Sequence, residues 1–101
     1  MIPAYAASKG GILLLTKALS NEWSSKGINV NGIAPGYIET ELTADMKVKN
    51  PAQYEEACKR IPQERWGKPQ DLKGVAIFLA SEASSYITGA MIPVDGGYLG
   101  K

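Results

Sequence analysis

Between Ala4 and Ser25 the apolar positions fall at helical spacing. Ile12, Leu15, Leu19 and Trp23 recur three and four residues apart, and Leu13, Leu14 and Ala18 widen the stripe. The spacing predicts a helix, and a stripe this broad predicts burial on two sides, against a sheet and a second helix. Lys26-Gly27 supplies the stop, with the glycine where a left-handed C-cap residue belongs. Gly10 and Gly11 fall inside the helix, where each costs about 1 kcal/mol relative to alanine. A close approach to the backbone is therefore expected there.

Ile28-Asn-Val-Asn-Gly-Ile-Ala34 reads as a short strand ended by Pro35-Gly36. A second helical stretch runs from about Pro51 to Arg60, preceded by a turn of helix at Leu42 to Lys47. Ile61-Pro62 breaks it, and Arg65-Trp66-Gly67 reads as a loop. Pro69 suits the first position of a third helix, through Leu72, Val75, Ala76 and Leu79. Ser81 to Thr88 is a polar connector, and Gly89 to Asp95 is a final strand closed by Gly96-Gly97. The order helix, strand, helix, helix, strand is an α/β pattern. Two strands make a poor sheet without neighbours. No Gly-x-Gly-x-x-Gly occurs among the eleven glycines, so the phosphate-cradling turn is absent. The pattern is that of an incomplete domain, the back half of a larger α/β unit.

Composition removes several classes of function. At 101 residues the chain is at most one small domain. A net charge of +1 with mixed signs gives no sign of a nucleic-acid or anionic-membrane surface. With one cysteine, Cys58, there is no internal disulfide. With no histidine as well, a zinc site or a Ser-His-Asp or Cys-His machine has no parts, and no metal is expected. No apolar run reaches the roughly 18 residues of a membrane span, and Met1-Ile-Pro-Ala-Tyr5 lacks the form of a signal peptide. A cytoplasmic protein is the expectation.

The candidate chemistry lies in Tyr5-Ala-Ala-Ser-Lys9. Four residues apart on a helix, a tyrosine and a lysine share one face, one turn above each other. A phenol is a poor acid at neutral pH, with a reference pKa near 10. A neighbouring ammonium favours the phenolate, which then trades a proton with an alcohol or carbonyl near pH 7. The spacing alone is weak, because a helix-start aromatic and a solvated lysine give the same pattern.

Three blocks in order strengthen it. Tyr5-Ala-Ala-Ser-Lys9 resembles the catalytic Tyr-xxx-Lys of the classical short-chain dehydrogenases/reductases. Asn31-Gly-Ile-Ala-Pro35-Gly36-Tyr-Ile38-Glu-Thr40 resembles that family's Pro-Gly block after a central strand. Phe78 to Gly89, with Val94-Asp-Gly-Gly97, resembles its C-terminal helix and last strand. The resemblance covers the whole chain as the C-terminal portion of the family, so residues 1–101 would be the C-terminal half of one doubly wound, Rossmann-type NAD(P)-binding domain. It implies Tyr5 and Lys9 as catalytic and cofactor-binding residues, Tyr5 as general acid/base and Lys9 on the nicotinamide ribose, where it holds the phenol's pKa down. Backbone groups of Pro35, Gly36 and Ile38 would meet the nicotinamide end, and the Thr40 hydroxyl the carboxamide or pyrophosphate. NAD or NADP would be the cofactor, a small alcohol or ketone the substrate, and a homodimer or homotetramer the parent assembly. The close approach at Gly10 and Gly11 would then come from a neighbouring helix or the cofactor.

Asn21-Glu-Trp23, Arg60-Ile-Pro62, Arg65-Trp66-Gly67 and Val94-Asp-Gly-Gly-Tyr98-Leu look most like the sugar-acid branch, the gluconate 5-dehydrogenases and 2-deoxy-D-gluconate 3-dehydrogenases, with polyol reductases close behind. Lys47, Lys49, Arg60 or Arg65 could pair with a substrate carboxylate, against the plainer reading of solvated charges. The family's glycine-rich turn, its NAD/NADP selector and its catalytic serine have no counterparts here. The chain alone is therefore expected to be catalytically incomplete, and the alternative reading is an interaction module that keeps only the oligomer surface.

Overall fold

A computed structural model describes residues 3–100, with the backbone but not the side chains of residues 5 and 6. Helix α1 (Pro3–Trp23) runs into a 3-10 turn at Ser24–Lys26. Strand β1 (Gly32–Pro35) leads to α2 (Glu41–Lys49) and α3 (Pro51–Arg60). A 3-10 turn at Pro69–Leu72 opens α4 (Lys73–Leu79), and β2 (Met91–Val94) follows. The two strands pair. They run parallel, since the acceptors of Gly32 and Gly36, Ala90 and Val94, ascend together. Two compact units are distinguished. One holds the chain up to Ile33 with Ile77–Ile92, and the other holds Ala34–Ala76 with the chain from Pro93. Among the described residues no helix is long and apolar enough to cross a membrane.

In the first unit α1 stops where the sequence predicts. Gly27 adopts φ 79°, and its N–H returns to the Ser24 carbonyl at 3.1 Å. The face α1 buries is only part of the predicted one, with Leu13, Leu19 and Trp23 half-buried. Thr16 and Ser20 are buried, whereas Leu14 is 68% and Leu15 57% exposed. Much of the wide stripe is left uncovered by the described residues, and the strip that is buried is hydroxyl-bearing. The Thr16 hydroxyl donates to the Ile12 carbonyl (2.8 Å), and Ser20 shares a hydrogen bond with Thr88 (2.8 Å). No buried hydroxyl is left orphaned among the described residues.

The predicted strand from Ile28 shortens to Gly32–Pro35 because side chains replace the ladder before it. Asn31 Nδ2 donates to the Ile87 carbonyl and Asn31 Oδ1 accepts from the Ala90 N–H, both at 3.0 Å. The Thr88 hydroxyl accepts from the Val30 N–H at 3.0 Å. A carboxamide imitates one peptide rung, since it carries the same donor and acceptor. Gly89 is held at φ 76°, which favours glycine, and a Cβ there would lie a tight 3.1 Å from Ser20 Oγ.

In the second unit the predicted turn at Leu42 to Lys47 is a full helix. Its apolar pattern is poor and it buries no residue, so its ends define it. Thr40 caps the start through a reciprocal pair with Thr43, and the Asn50 N–H closes the end on Met46 O at 2.6 Å. Asn50 also caps α3, accepting from Gln53 N–H, with Pro51 at the first helical position. Helix α3 then buries Tyr54 and Ala57 against Trp66, with Tyr37, Met46 and Cys58 packed around them. Arg65-Trp66-Gly67 is therefore more than a loop. Trp66 is 6% exposed, and Gly67 forms an isolated parallel bridge with Ile38.

Asn31→Ala removes both carboxamide bonds and leaves a carbonyl and an N–H short of partners. Chemical denaturation should show a loss of about 2 kcal/mol, against well under 1 kcal/mol for exposed Asn29→Ala.

Candidate active site

The backbone of α1 carries Tyr5 and Lys9 one helical turn apart, as their spacing predicts. The Tyr5 side chain lies outside the described residues, and Lys9 is exposed. The close approach expected at Gly10 and Gly11 is not made by any described residue, since a Cβ at either would meet nothing within 4 Å. No described residue offsets their helical cost.

The other predicted site residues lie in the second unit. Pro35 ends β1, and the Gly36 N–H donates to Val94 O at 3.0 Å. A Cβ at Gly36 would fall 2.7 Å from Asp95 Cβ and 2.8 Å from its Cα. Glycine is needed here because another backbone crosses, so the structural reading of Pro35-Gly36 is stronger than a strand-ending turn. Ile38 sits at the bridge. The Gly67 N–H donates to Tyr37 O at 2.8 Å, and the Glu39 N–H donates to Gly67 O at 2.7 Å. In such a bridge the central residue turns its own N–H and C=O to the opposite side. Those two groups of Ile38 make no hydrogen bond among the described residues. Thr40 Oγ1 accepts from the Thr43 N–H at 3.4 Å. The predicted ligand hydroxyl is thus also a helix cap, and it lies 3.5 Å from the Thr43 hydroxyl as well.

What holds this segment is a group of residues to which the sequence assigns no role. The Tyr37 ring meets Trp66 edge-on (centroids 5.1 Å, 61°) and Tyr98 likewise (5.7 Å, 73°). Trp66 stacks flat on Tyr54 (5.1 Å, 3°), and its Nε1–H donates to the Tyr54 carbonyl at 3.3 Å. The Tyr54 hydroxyl donates to Glu39 Oε1 at 2.7 Å. That bond, then burial and the Glu39 charge, pushes the phenol up to about 12. Lys47 Nζ lies 5.1 Å from the Tyr54 ring centroid. The only sequence signal was a tryptophan set between Arg65 and Gly67 in an otherwise polar stretch.

Two cavities flank this group. One of about 360 Å³ is lined by Tyr37, Ile38, Gln63, Arg65, Asp71 and Asp95 among others. The other, about 520 Å³, lies against Tyr37, Leu42, Met46, Gln53, Ala57 and Trp66. The four basic residues weighed for a carboxylate all have partners within the chain. Lys49 pairs with Asp45 (3.1 Å), Arg60 with Glu56 (3.4 Å) and Arg65 with Asp71 (3.0 Å), and Lys47 rests over Tyr54. Arg65, with the Lys68 N–H, holds the Asp71 carboxyl below its usual range. The plainer reading of these charges is the better supported one. No group of three or more metal-ligating side chains occurs among the described residues.

A family model described as enoyl-(acyl carrier protein) reductase matches residues 1–99. The chain is 54% identical over 100 residues to 2-dehydro-3-deoxy-D-gluconate 5-dehydrogenase of Pseudoalteromonas atlantica, covering 99% of this chain and 39% of that protein. It is 48% identical over 98 residues to 5-keto-D-gluconate 5-reductase of Escherichia coli, covering 97% of this chain and 38% of that one. Among solved structures it is similar to a gluconate 5-dehydrogenase of Burkholderia cenocepacia in complex with NADP and tartrate, with TM-score 0.89 and 46% identity over 99% of this chain and 39% of the other. The chain spans under two fifths of the length of these relatives.

Tyr54 gives the site a pH signature. Its folded pKa of about 12 lies above the ordinary 10.0. Its contribution to stability is therefore complete below about pH 10 and is lost as pH rises through about 12. Urea midpoints measured across that window should fall for the wild type. Tyr54→Phe, with no proton to lose there, should show a shallower decline.

Proposed function

The chain belongs to the short-chain dehydrogenase/reductase family, and we propose that its residues form the C-terminal half of one NAD(P)-binding domain whose whole protein interconverts a secondary alcohol and a ketone on a sugar acid. Its α/β elements are the C-terminal part of that family's doubly wound, Rossmann-type parallel sheet. The names of relatives 54% and 48% identical favour a sugar acid over an acyl-carrier substrate, and the NADP in the Burkholderia neighbour favours NAD or NADP as the cofactor.

The observation that carries this reading is the open edge of Ile38. A nicotinamide carboxamide presents an N–H donor and a carbonyl acceptor, the complement of one free peptide C=O and one free N–H. Ile38 offers that pair, with side-chain-less Gly36 two residues before it and the Thr40 hydroxyl two residues after. These residues fit the nicotinamide end of a dinucleotide, with Pro35 closing the strand that delivers them.

When bound, the nicotinamide supplies or takes the hydride. Tyr5 gives the proton to the substrate oxygen in reduction and takes it in oxidation. Lys9, one turn on, offers the positive charge that stabilises a phenolate and a donor for the ribose hydroxyls. The exposed stripe of Ile12, Leu14 and Leu15 is the surface we assign to a homo-oligomer contact, and the cytoplasm is the compartment this chemistry fits.

Calorimetry with NADP(H) and NAD(H) on the whole protein tests the assignment. Lys9→Ala should weaken cofactor binding by about tenfold or more. Tyr5→Phe should leave binding nearly intact while cutting turnover on sugar acids by roughly 10²- to 10⁴-fold. Unchanged binding in Lys9→Ala, or full activity in Tyr5→Phe, overturns it.

A further inference from the structure

We propose that Tyr54 and Glu39 are a positioning pair: the phenol, delivered by α3, holds the segment 37–39 so that the open backbone edge of Ile38 is presented in one fixed orientation to the cofactor. The inference rests on the reading of Ile38 as the nicotinamide edge.

Ile38 is fixed on its closed side by two backbone hydrogen bonds to Gly67, and this bridge is one residue long. Bonds so short of neighbours open easily unless something else ties the segment down. The residues on either side of Ile38 supply the tie. Tyr37 sets its ring edge against Trp66, and the Glu39 carboxylate accepts a hydrogen bond from the Tyr54 hydroxyl at 2.7 Å. Both anchors end on the same stacked pair, Tyr54 over Trp66, and that pair is locked by the Trp66 Nε1–H to Tyr54 carbonyl bond. Tyr54 is 8% exposed, so its bond to an ionised acceptor forms where water competes little and is of the stronger kind. Helix α2, capped by Thr40, adds the Lys47 ammonium to the same ring.

Three elements thus converge on Tyr54: the segment 37–39, the 65–67 stretch and α2. Beside the two backbone bonds of Gly67, the Tyr54 hydroxyl bonds a side chain of that segment. Without it the stack persists, but Glu39 is released and the bridge keeps a single side-chain anchor. A donor and acceptor that must meet a planar amide lose affinity when their orientation wanders, and outer supports of this kind decide how well a binding edge is held.

The test uses the whole protein with Tyr54→Phe, Glu39→Ala, Glu39→Gln and the Tyr54→Phe/Glu39→Ala double variant. Tyr54→Phe keeps the ring and its stack, and Glu39→Gln keeps an acceptor for the phenol proton. Amide hydrogen exchange without cofactor should accelerate about tenfold or more at Glu39 and Gly67 in Tyr54→Phe and Glu39→Ala. Exchange at Gly89, whose amide bonds Val30 O at 2.7 Å in the other unit, should stay unchanged. KM for the dinucleotide should rise roughly 5- to 20-fold with kcat within about twofold. Glu39→Gln should recover most of both effects, and the double variant should be no worse than Glu39→Ala alone. Unchanged exchange at Glu39 and Gly67 overturns the inference, and so does faster exchange with an unchanged KM. A wild type that binds no dinucleotide refutes instead the functional reading on which it rests, and exchange still decides whether the pair holds the edge.

Discussion

The flat stack of Tyr54 on Trp66 is the contact on which the second unit depends. Two aromatic rings at 5.1 Å bury a large apolar area, and an aromatic pair adds about 0.5–1.5 kcal/mol beyond that area. The stack matters more for what it orders. Each ring also carries a directional polar group. Trp66 spends its N–H on the backbone of α3, and Tyr54 spends its hydroxyl on Glu39. Area alone would permit rings to slide, and these two bonds fix their offset. From that fixed pair follow the position of Gly67, the bridge to Ile38 and the lining of both cavities.

The first unit is held by a different device. Its contacts include hydroxyl and carboxamide groups: Thr16, Ser20 and Ser84 are buried, and Asn31 and Thr88 join them from the less buried rim, each paired. Buried polar groups are costly when orphaned and specific when satisfied, because each fixes a direction as well as a distance. Asn31 and Thr88 carry the register of β1 against the segment before β2, where a longer run of backbone ladder would otherwise have done so. The apolar stripe of α1 takes no part in this, which is why its exposure and the order of the unit coexist.

Features local in sequence were legible. Tyr5 and Lys9 one turn apart, Gly27 as the left-handed stop, Pro51 and Pro69 at helix starts and Pro35-Gly36 at a strand end all follow from spacing and backbone preference. Features made by distant residues were not. Trp66 read as a loop residue because its partner lies twelve positions earlier, and Glu39 drew no role because its donor lies fifteen positions later. Helix α2 was underestimated because its caps, not its apolar pattern, define it. The width of the α1 stripe correctly marked a helix, but stripe width says how much surface needs cover and nothing about which residues cover it. The helical glycines show the same limit: the contact expected at Gly10 and Gly11 is made by no described residue, while Gly36 answers to Asp95.

The division of labour around Ile38 follows from what a peptide edge can do. A backbone N–H and C=O recognise an amide by geometry alone, with no side chain to adjust, so any error in the strand passes undiminished to the ligand. A side-chain donor can correct for a small displacement by changing rotamer, whereas a peptide group moves only with its chain. A binding edge made of backbone therefore demands that its neighbours be immobile, and on the proposed reading of Ile38 as such an edge those neighbours are the two residues tied to the aromatic stack. Gly36 cannot share in this, because it must stay bare for Asp95 to pass. The rigidity has to come from outside the strand, and Tyr54, buried, stacked and bonded at its tip, is the side chain placed to supply it.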